Sequence, residues 1–377
     1  MKRIYIGGRE SEISTYNIFD LSITFYGSNK LNNRSYNIGD RIPKEYSNLF
    51  YIYVISTLED YINKNIDIVI HVYNRKIATE IIKRKPEYSK YFQCINNNNV
   101  ISWLNDKIYT RLWMKNVVEI PPTLLCSLED INIPNFKNYF GDFESYILQE
   151  AISSGGKGTF ILKNNVLYLK KVLSKTVPYM VSPNYADYDS LSCHMIIGKY
   201  DSIIFPFSKQ ILNEIDSHFQ YVGANYYSYK FYDLKTKKRI YDFCKKIANQ
   251  LNKISYRGIC GIDFLLSKEH IYFIEINARY QGSTFVINKA LLENDLPSIF
   301  ELNELAFKEK NLYPYKKRLE NLEINYSSHY VFNNYSNELE LNSQHLKEFF
   351  CDGFDECNNI IETDEEVYMY RWINLYK

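Results

Sequence analysis

The chain has 377 residues, enough for two or three subdomains around real cores. Its 45 Lys and Arg against 44 Asp and Glu leave a formal net charge of +1, without the basic excess of a non-specific polyanion binder. The short clusters KRK (83–85) and KTKKR (235–239) read as solvated surface, so no nucleic-acid partner is expected.

The start, MKRIYIGGRESE, is too short in apolar run and acidic too early for a secretory signal. No apolar stretch approaches a membrane span. The seven cysteines (94, 126, 193, 244, 260, 351, 357) are odd in number, scattered, and lack a CxxC pair. They read as reduced thiols in a cytoplasm, not a disulfide frame or a zinc site. The six histidines are dispersed as well; His194, in SCHMIIG, reads as a core or edge histidine of a strand.

In chain order, KRIYI (2–6) is a first strand ending at Gly7-Gly8. LEDYINKN (58–65) is helix, IDIVIHVY (66–73) a buried strand, and NRKIATEIIKRK (74–85) helix again. That alternation predicts a small open α/β domain with a parallel sheet over residues 1–104. INNNNV (95–100) is expected to be a connection, because asparagines favour turns. NDKIYTRLWMKN (105–116) predicts a helix with Asn105 as N-cap, ended by EIPP (119–122). ESYILQEA (144–151) and TFILKNN (159–165) predict two strands joined by the glycine-rich SSGGKG (153–158). VPYMVS (177–182) is a third strand, and HMIIGKYDSIIFPF (194–207) two more around GKYD. GANYYSYKFY (223–232) reads as an aromatic strand, and YDFCKKIANQLNKI (241–254) as an amphipathic helix. GIDFLL, the turn SKEH and IYFIEIN then form an antiparallel hairpin. Beyond about 309 the chain is less regular. The acidic stretches DGFDE (352–356) and ETDEEVY (362–368) lack EF-hand spacing and read as solvated surface.

The hairpin carries the chemistry. In FIEINARYQGST (273–284), Ile274 and Ile276 point to one side, and Glu275 and Asn277, with Arg279 beyond, to the other. Asp263 lies twelve residues before Glu275, close enough to face it across the ladder. Three such oxygens suit magnesium, which takes few protein oxygens and completes its shell with phosphate and water. The Arg279 guanidinium suits a phosphate. A solvated polar strand face is the alternative. SSGGKG offers backbone N–H groups and Lys157, and its glycines let the backbone close over phosphates. It has neither Walker A nor Rossmann spacing, and taken alone an ordinary hairpin tip fits it equally well.

The order of these parts resembles the ATP-grasp superfamily over residues 105 to 295. The likeness rests on NDK (105–107), LQEAISSGGKGTF (148–160), GICGIDF (258–264) and FIEINARYQGS (273–283). It implies an α/β architecture in which an N-terminal domain precedes a two-lobed ATP-grasp domain at 105–308. The small lobe would run over 105–182, the large lobe over 183–308, and a C-terminal extension over 309–377. It implies Asp263, Glu275 and Asn277 as ligands of Mg2+, with Mn2+ as an alternative, and Arg279 as the arginine that steadies the transferring phosphoryl group. Lys107 would reach the phosphates of ATP. Ser154, Gly155, Gly156, Lys157 and Gly158 would form the lid. Met180, Val181 and Ser182 would form the adenine hinge, without the family's usual hinge acid. Gln149 stands where the family has a second lysine; it can hydrogen-bond a phosphate but brings no charge, and Lys157 would compensate.

The activity implied is that of an ATP-dependent carboxylate–amine ligase. A carboxylate attacks the γ-phosphate, ADP leaves, and an amine or thiol attacks the acyl phosphate. YMVSPNYADYDSLSCHMIIG, with SKQI after FPF, is similar to ATP-grasp ligases of peptide and natural-product pathways. The substrates implied are small-molecule or peptide carboxylates and amines, or alternatively a carrier-protein thiol, with a homodimer as the expected assembly. Two rival readings stand beside it: a nucleotide-binding module without turnover, motivated by Gln149 and the missing hinge acid, and a plain α/β interaction protein.

Overall fold

A computed structural model describes residues 1–9, 18–26, 35–37, 47–64, 67–153, 158–163, 178–215, 217–320, 322–324, 326–333, 354–357, 361–363 and 366–375. The chain begins with strands β1 (Lys2–Arg9), β2 (Leu21–Tyr26) and β3 (Ser35–Asn37), then helix α1 (Ser47–Ile62), β4 (Ile68–Val72) and α2 (Arg75–Arg84). The four strands form one parallel sheet in the order β3-β2-β1-β4. Every residue of β4 is buried, as a parallel strand covered on both faces requires. Ile4, Ile6, Ile23 and Ile70 meet Phe50, Val54 and Leu58 of α1 and Ile77 and Ile81 of α2. The fourfold spacing of Phe50, Val54 and Leu58 is why α1 starts at Ser47, well before LEDYINKN. The predicted parallel α/β sheet is present.

The asparagine run is not a plain connection. Helix α3 (Asn98–Leu104) begins inside it, and the Asn97 side chain accepts from the N–H of Asn99. Asn105 ends α3 and does not cap the next helix. α4 (Lys107–Met114) is capped by Asp106, whose carboxylate accepts from the N–H groups of Ile108 and Tyr109. A carboxylate both accepts those bonds and complements the helix dipole, so it is the better cap here. α4 ends at Met114, before the prolines of EIPP.

Next come β5 (Leu124–Cys126), α5 (Ile133–Phe140), β6 (Tyr146–Glu150), β7 (Thr159–Leu162) and β8 (Tyr179–Pro183). These strands pair antiparallel in the order β7-β6-β8-β5. They hold a core of Leu148, Phe160, Leu162, Tyr179 and Val181 under Phe136 of α5. The β6–β7 hairpin is the one predicted around SSGGKG; residues 154–157 of its tip lie outside the described residues.

A larger antiparallel set follows: β9 (Asp189–Ile197), β10 (Ser202–Ile204), β11 (Ser208–Ile215), β12 (His218–Asn225), α6 (Leu234–Lys253), β13 (Gly258–Leu266) and β14 (Ile271–Asn277). Its order is β14-β13-β9-β11-β12, with β10 on β9. The bridge of His218 to Phe160 joins it to the smaller set. α6 lies on this sheet through Ile240, Cys244, Ile247 and Leu251. GANYYSYKFY is strand only to Asn225. Tyr227–Phe231 is a 3-10 turn started by the Asn225 side chain, which accepts from the N–H of Ser228. Phe207 draws Tyr229 and Tyr232 out of strand geometry by edge-on ring contacts at 4.9 and 5.0 Å.

Helices α7 (Thr284–Glu293), α8 (Ile299–Phe307) and α9 (Tyr313–Glu320) cover the other face. The tail is more regular than expected: β15 (Tyr326–Asn333), β16 (Phe354–Cys357), β17 (Ile361–Thr363) and β18 (Glu366–Leu375) extend the large sheet, β15 pairing with β12. Parts of both acidic stretches are therefore strand. The five cysteines Cys94, Cys126, Cys193, Cys244 and Cys260 are free thiols. Among the described residues no helix is long and apolar enough to cross a membrane.

Candidate functional site

The β13–β14 ladder sets Asp263 directly opposite Glu275 and Gly261 opposite Asn277. Asn277 Nδ2 donates to Asp263 Oδ2 at 3.0 Å. Asp263 Oδ1 is buried and has no partner. A buried carboxylate oxygen without a donor is unfavourable and calls for an explanation, and an absent cation is one. Burial, with the neighbouring charge of Glu275, pushes the Asp263 carboxyl well above the usual carboxylate range. Burial acts the same way on Glu275, but Lys107 outweighs it and holds that carboxyl below its ordinary value. Lys107 Nζ lies 2.9 Å from Glu275 Oε2. This face of the hairpin is therefore not a solvated one. Two carboxylates and an amide are a hard donor set. Among the described residues no group of three or more His, Cys, Asp or Glu gathers, so a cation here would need further oxygens from phosphate or water.

Lys107 is the first residue of α4 and is buried. Its Nζ also donates to Ser153 Oγ at 2.9 Å, at the root of the glycine-rich loop. Gly158 closes that loop; a Cβ there would come within 2.5 Å of the Ser153 side chain, so the tight return needs glycine. Ser154, Gly155, Gly156 and Lys157 lie outside the described residues.

Arg111, one turn after Lys107, was not singled out from the sequence. It is fully buried. Its Nε donates to the Ile274 carbonyl at 3.1 Å, Nη1 to Met180 Sδ at 3.4 Å, and Nη2 to Gln149 Oε1. Burial lowers its pKa to about 10, which leaves it charged at neutral pH. Gln149 thus has a positive charge beside it, delivered from α4 instead of from its own strand. The signal that could have found Arg111 is its i+4 spacing from Lys107, which puts both on one helix face.

Met180 and Val181 sit in the middle of their sheet: β8 pairs with β6 on one edge and β5 on the other. Ser182 lies past the end of β5, where that second edge opens. Arg279 Nη1 donates to Tyr73 Oη and to the Tyr280 carbonyl, each at 3.0 Å, and Nη2 to Asn277 Oδ1 at 3.4 Å. It thereby links the hairpin to the end of β4. His194 is the core histidine expected: its Nε2 lies 3.1 Å from Thr284 Oγ1, and burial lowers its pKa to about 3. The structure thus brings Lys107, Asp263, Glu275, Asn277 and Arg279 around one hairpin, with Gln149 and Met180 joined to it through Arg111.

Residues 104–283 match the model of the ATP-grasp domain. That segment is an ATP-grasp domain. Several solved structures share the fold. N5-carboxyaminoimidazole synthetase from Staphylococcus aureus, complexed with ADP, superposes with a TM-score of 0.62 at 15% identity, covering 100% of this chain and 93% of that one. A biotin carboxylase–β-γ-ATP complex from Campylobacter jejuni reaches 0.68 at 14% identity, covering 100% and 87%. The biotin carboxylase domain of Hydrogenobacter thermophilus 2-oxoglutarate carboxylase, with MgADP and bicarbonate, reaches 0.65 at 14%, covering 100% and 86%. Comparison with curated protein sequences finds no match.

Proposed function

We propose that the chain is an ATP-dependent ligase that activates a carboxylate as its acyl phosphate, releases ADP, and transfers the acyl group to an amine. The observation that carries this reading is the orphaned Oδ1 of Asp263 beside Glu275, on the hairpin of an ATP-grasp domain. In this reading Asp263, Glu275 and Asn277 hold Mg2+ on the ATP phosphates. Bound there, magnesium would neutralise charge developing on the phosphoryl oxygens. The chain's own residues do the rest. Lys107 spans the hairpin and the loop, positioned to exchange Glu275 for a phosphate oxygen. Arg111 and Gln149 form one polar unit at the place of the family's second lysine. Arg279 orients the phosphoryl group and the attacking carboxylate, and residues 154–158 exclude water as a lid.

The amine is taken as an amino acid or peptide, a carrier thiol being the alternative. The division at residues 104 and 308, a cytoplasmic location and a homodimer belong to the same reading. A binding module without turnover is less favoured, because Arg111 restores the charge that Gln149 lacks. The test is ADP release from Mg·ATP in a small-metabolite and peptide extract, with hydroxylamine to trap an acyl phosphate. ADP with a hydroxamate is expected. AMP would mean adenylation and overturn the mechanism.

A further inference from the structure

A cleft of about 40 Å³ lies between the end of β4 and the far side of the hairpin. Three of its lining residues are arginines, Arg75, Arg257 and Arg279, and none is Asp or Glu. They come from three separate parts of the chain. Arg75 opens α2, Arg257 precedes β13, and Arg279 follows β14. No carboxylate lies within ion-pair distance of any of the three among the described residues, while Arg3, Lys107 and Lys316 elsewhere are paired.

The cluster is held in place. The Asn96 carbonyl accepts from Arg75 Nε at 3.1 Å. Asn96 Nδ2 donates to the Arg257 carbonyl, and its Oδ1 accepts from the Arg257 N–H, each at 2.8 Å. One asparagine therefore ties Arg75 to Arg257. Tyr73, two residues before Arg75, accepts from Arg279. The Arg75 bonds, to Asn96 and to Thr79 Oγ1, leave its Nη2 unused. Arg257 Nε is buried without a partner. Arg257 is half-buried and its Nη1 donates to the Tyr256 carbonyl at 2.8 Å, so Nε is the one buried donor of the three arginines left without a partner, which is unfavourable unless an acceptor completes it. A space of this size admits on the order of three waters, or one carboxylate or phosphate group, but no nucleotide.

We propose that this cleft is the pocket for a second anionic group on the acid that the enzyme activates, so that its substrate is a dianion. The reacting carboxylate lies toward Arg279, and the second carboxylate or phosphate takes the forks of Arg75 and Arg257. The inference rests on the ligase reading for the word substrate, but the anion site stands or falls by binding alone.

The test is calorimetric titration of the full chain in saturating Mg·ADP with glutarate, phosphoglycolate and the monoanion butyrate. At least one dianion is expected to bind tighter than butyrate by roughly tenfold to hundredfold, the worth of one or two charged hydrogen bonds. Preference for phosphoglycolate would mean a phosphate pocket, and preference for glutarate a carboxylate pocket. Arg75→Gln and Arg257→Gln should each erase that preference while Mg·ADP affinity holds. Butyrate binding as well as both dianions, no binding of either dianion, or a preference that survives in both variants would overturn the proposal. ADP release with the same acids separates the two readings. Turnover of monocarboxylates as fast as dicarboxylates removes the dianion inference and keeps the ligase. Arginine-dependent dianion binding without any turnover does the reverse.

Discussion

Glu275 shows how much one side chain decides. Burial opposes its charge, yet Lys107 holds its carboxyl below the ordinary value, and it faces an aspartate whose carboxyl burial raises. Glu275→Ala is expected to cut turnover by about 10²–10³ or more in kcat, while circular dichroism still shows a folded chain and the melting temperature falls. The variant also strips the buried Lys107 ammonium of its ion-pair partner and leaves it only Ser153, so some stability is lost with the activity. Full activity would remove the metal assignment. Arg111 makes a different prediction. Arg111→Met keeps the volume and removes the charge beside Gln149, so Mg·ATP should bind about tenfold more weakly, read by titration. An unchanged affinity would place the phosphate charge elsewhere. Glu275 and Asn277 were legible because a strand repeats every two residues. Arg111 was not, because its partners, Gln149, Met180 and Ile274, lie on strands that only folding brings to it.

Strands and helices behaved differently in what their residues announced. The hairpins and the parallel sheet follow from period and turn residues, and they appear where those patterns stand. The ends of helices do not. Asn97, Asn105 and Asp106 all suit a cap, and the choice fell to packing: Ile101 and Leu104 pull α3 into the core, which leaves Asp106 to start α4. The start of β13 adds a backbone constraint. Gly258 has φ of +83°, and a Cβ there would run into Asn303 Oδ1 and the Phe307 ring. Gly258→Ala should destabilise the protein by about 1–3 kcal/mol and lower its Tm, measured in a thermal melt. At the β6–β7 tip, Lys157→Ala should raise the ATP requirement more than it lowers the Tm. A large fall in Tm instead would make the loop structural.

Glu304 joins α8 to the N-terminal sheet. Arg3 Nε donates to it at 2.7 Å, and His71 Nε2 lies 3.1 Å away. Burial opposes its charge, but those two partners outweigh burial and pull its pKa from the ordinary 4.5 to about 2. A depressed carboxyl stabilises the fold above its unfolded value and loses that contribution as pH falls. The junction should therefore weaken between about pH 4.5 and 2, by about 3 kcal/mol in total. Glu304→Gln should flatten the stability profile in that window, followed by denaturant midpoints against pH; an unchanged slope would show that the contact between the sheet and α8 does not depend on this charge. Across the whole chain, Mg·ATP at a hundredfold excess over its Kd should add about 2.7 kcal/mol of stability.

Local patterns in the chain were enough for the parallel N-terminal sheet, for the hairpin that sets Asp263 against Glu275, and for the likeness to ATP-grasp ligases. Each of these is written in a period, a turn or a short motif, and such signals survive without neighbours. The charge at Gln149, the regular tail strands, and the arginine cleft bound together by Asn96 are contacts between residues far apart in the chain. Their energies depend on burial and distance, and those quantities exist only once the chain has closed on itself.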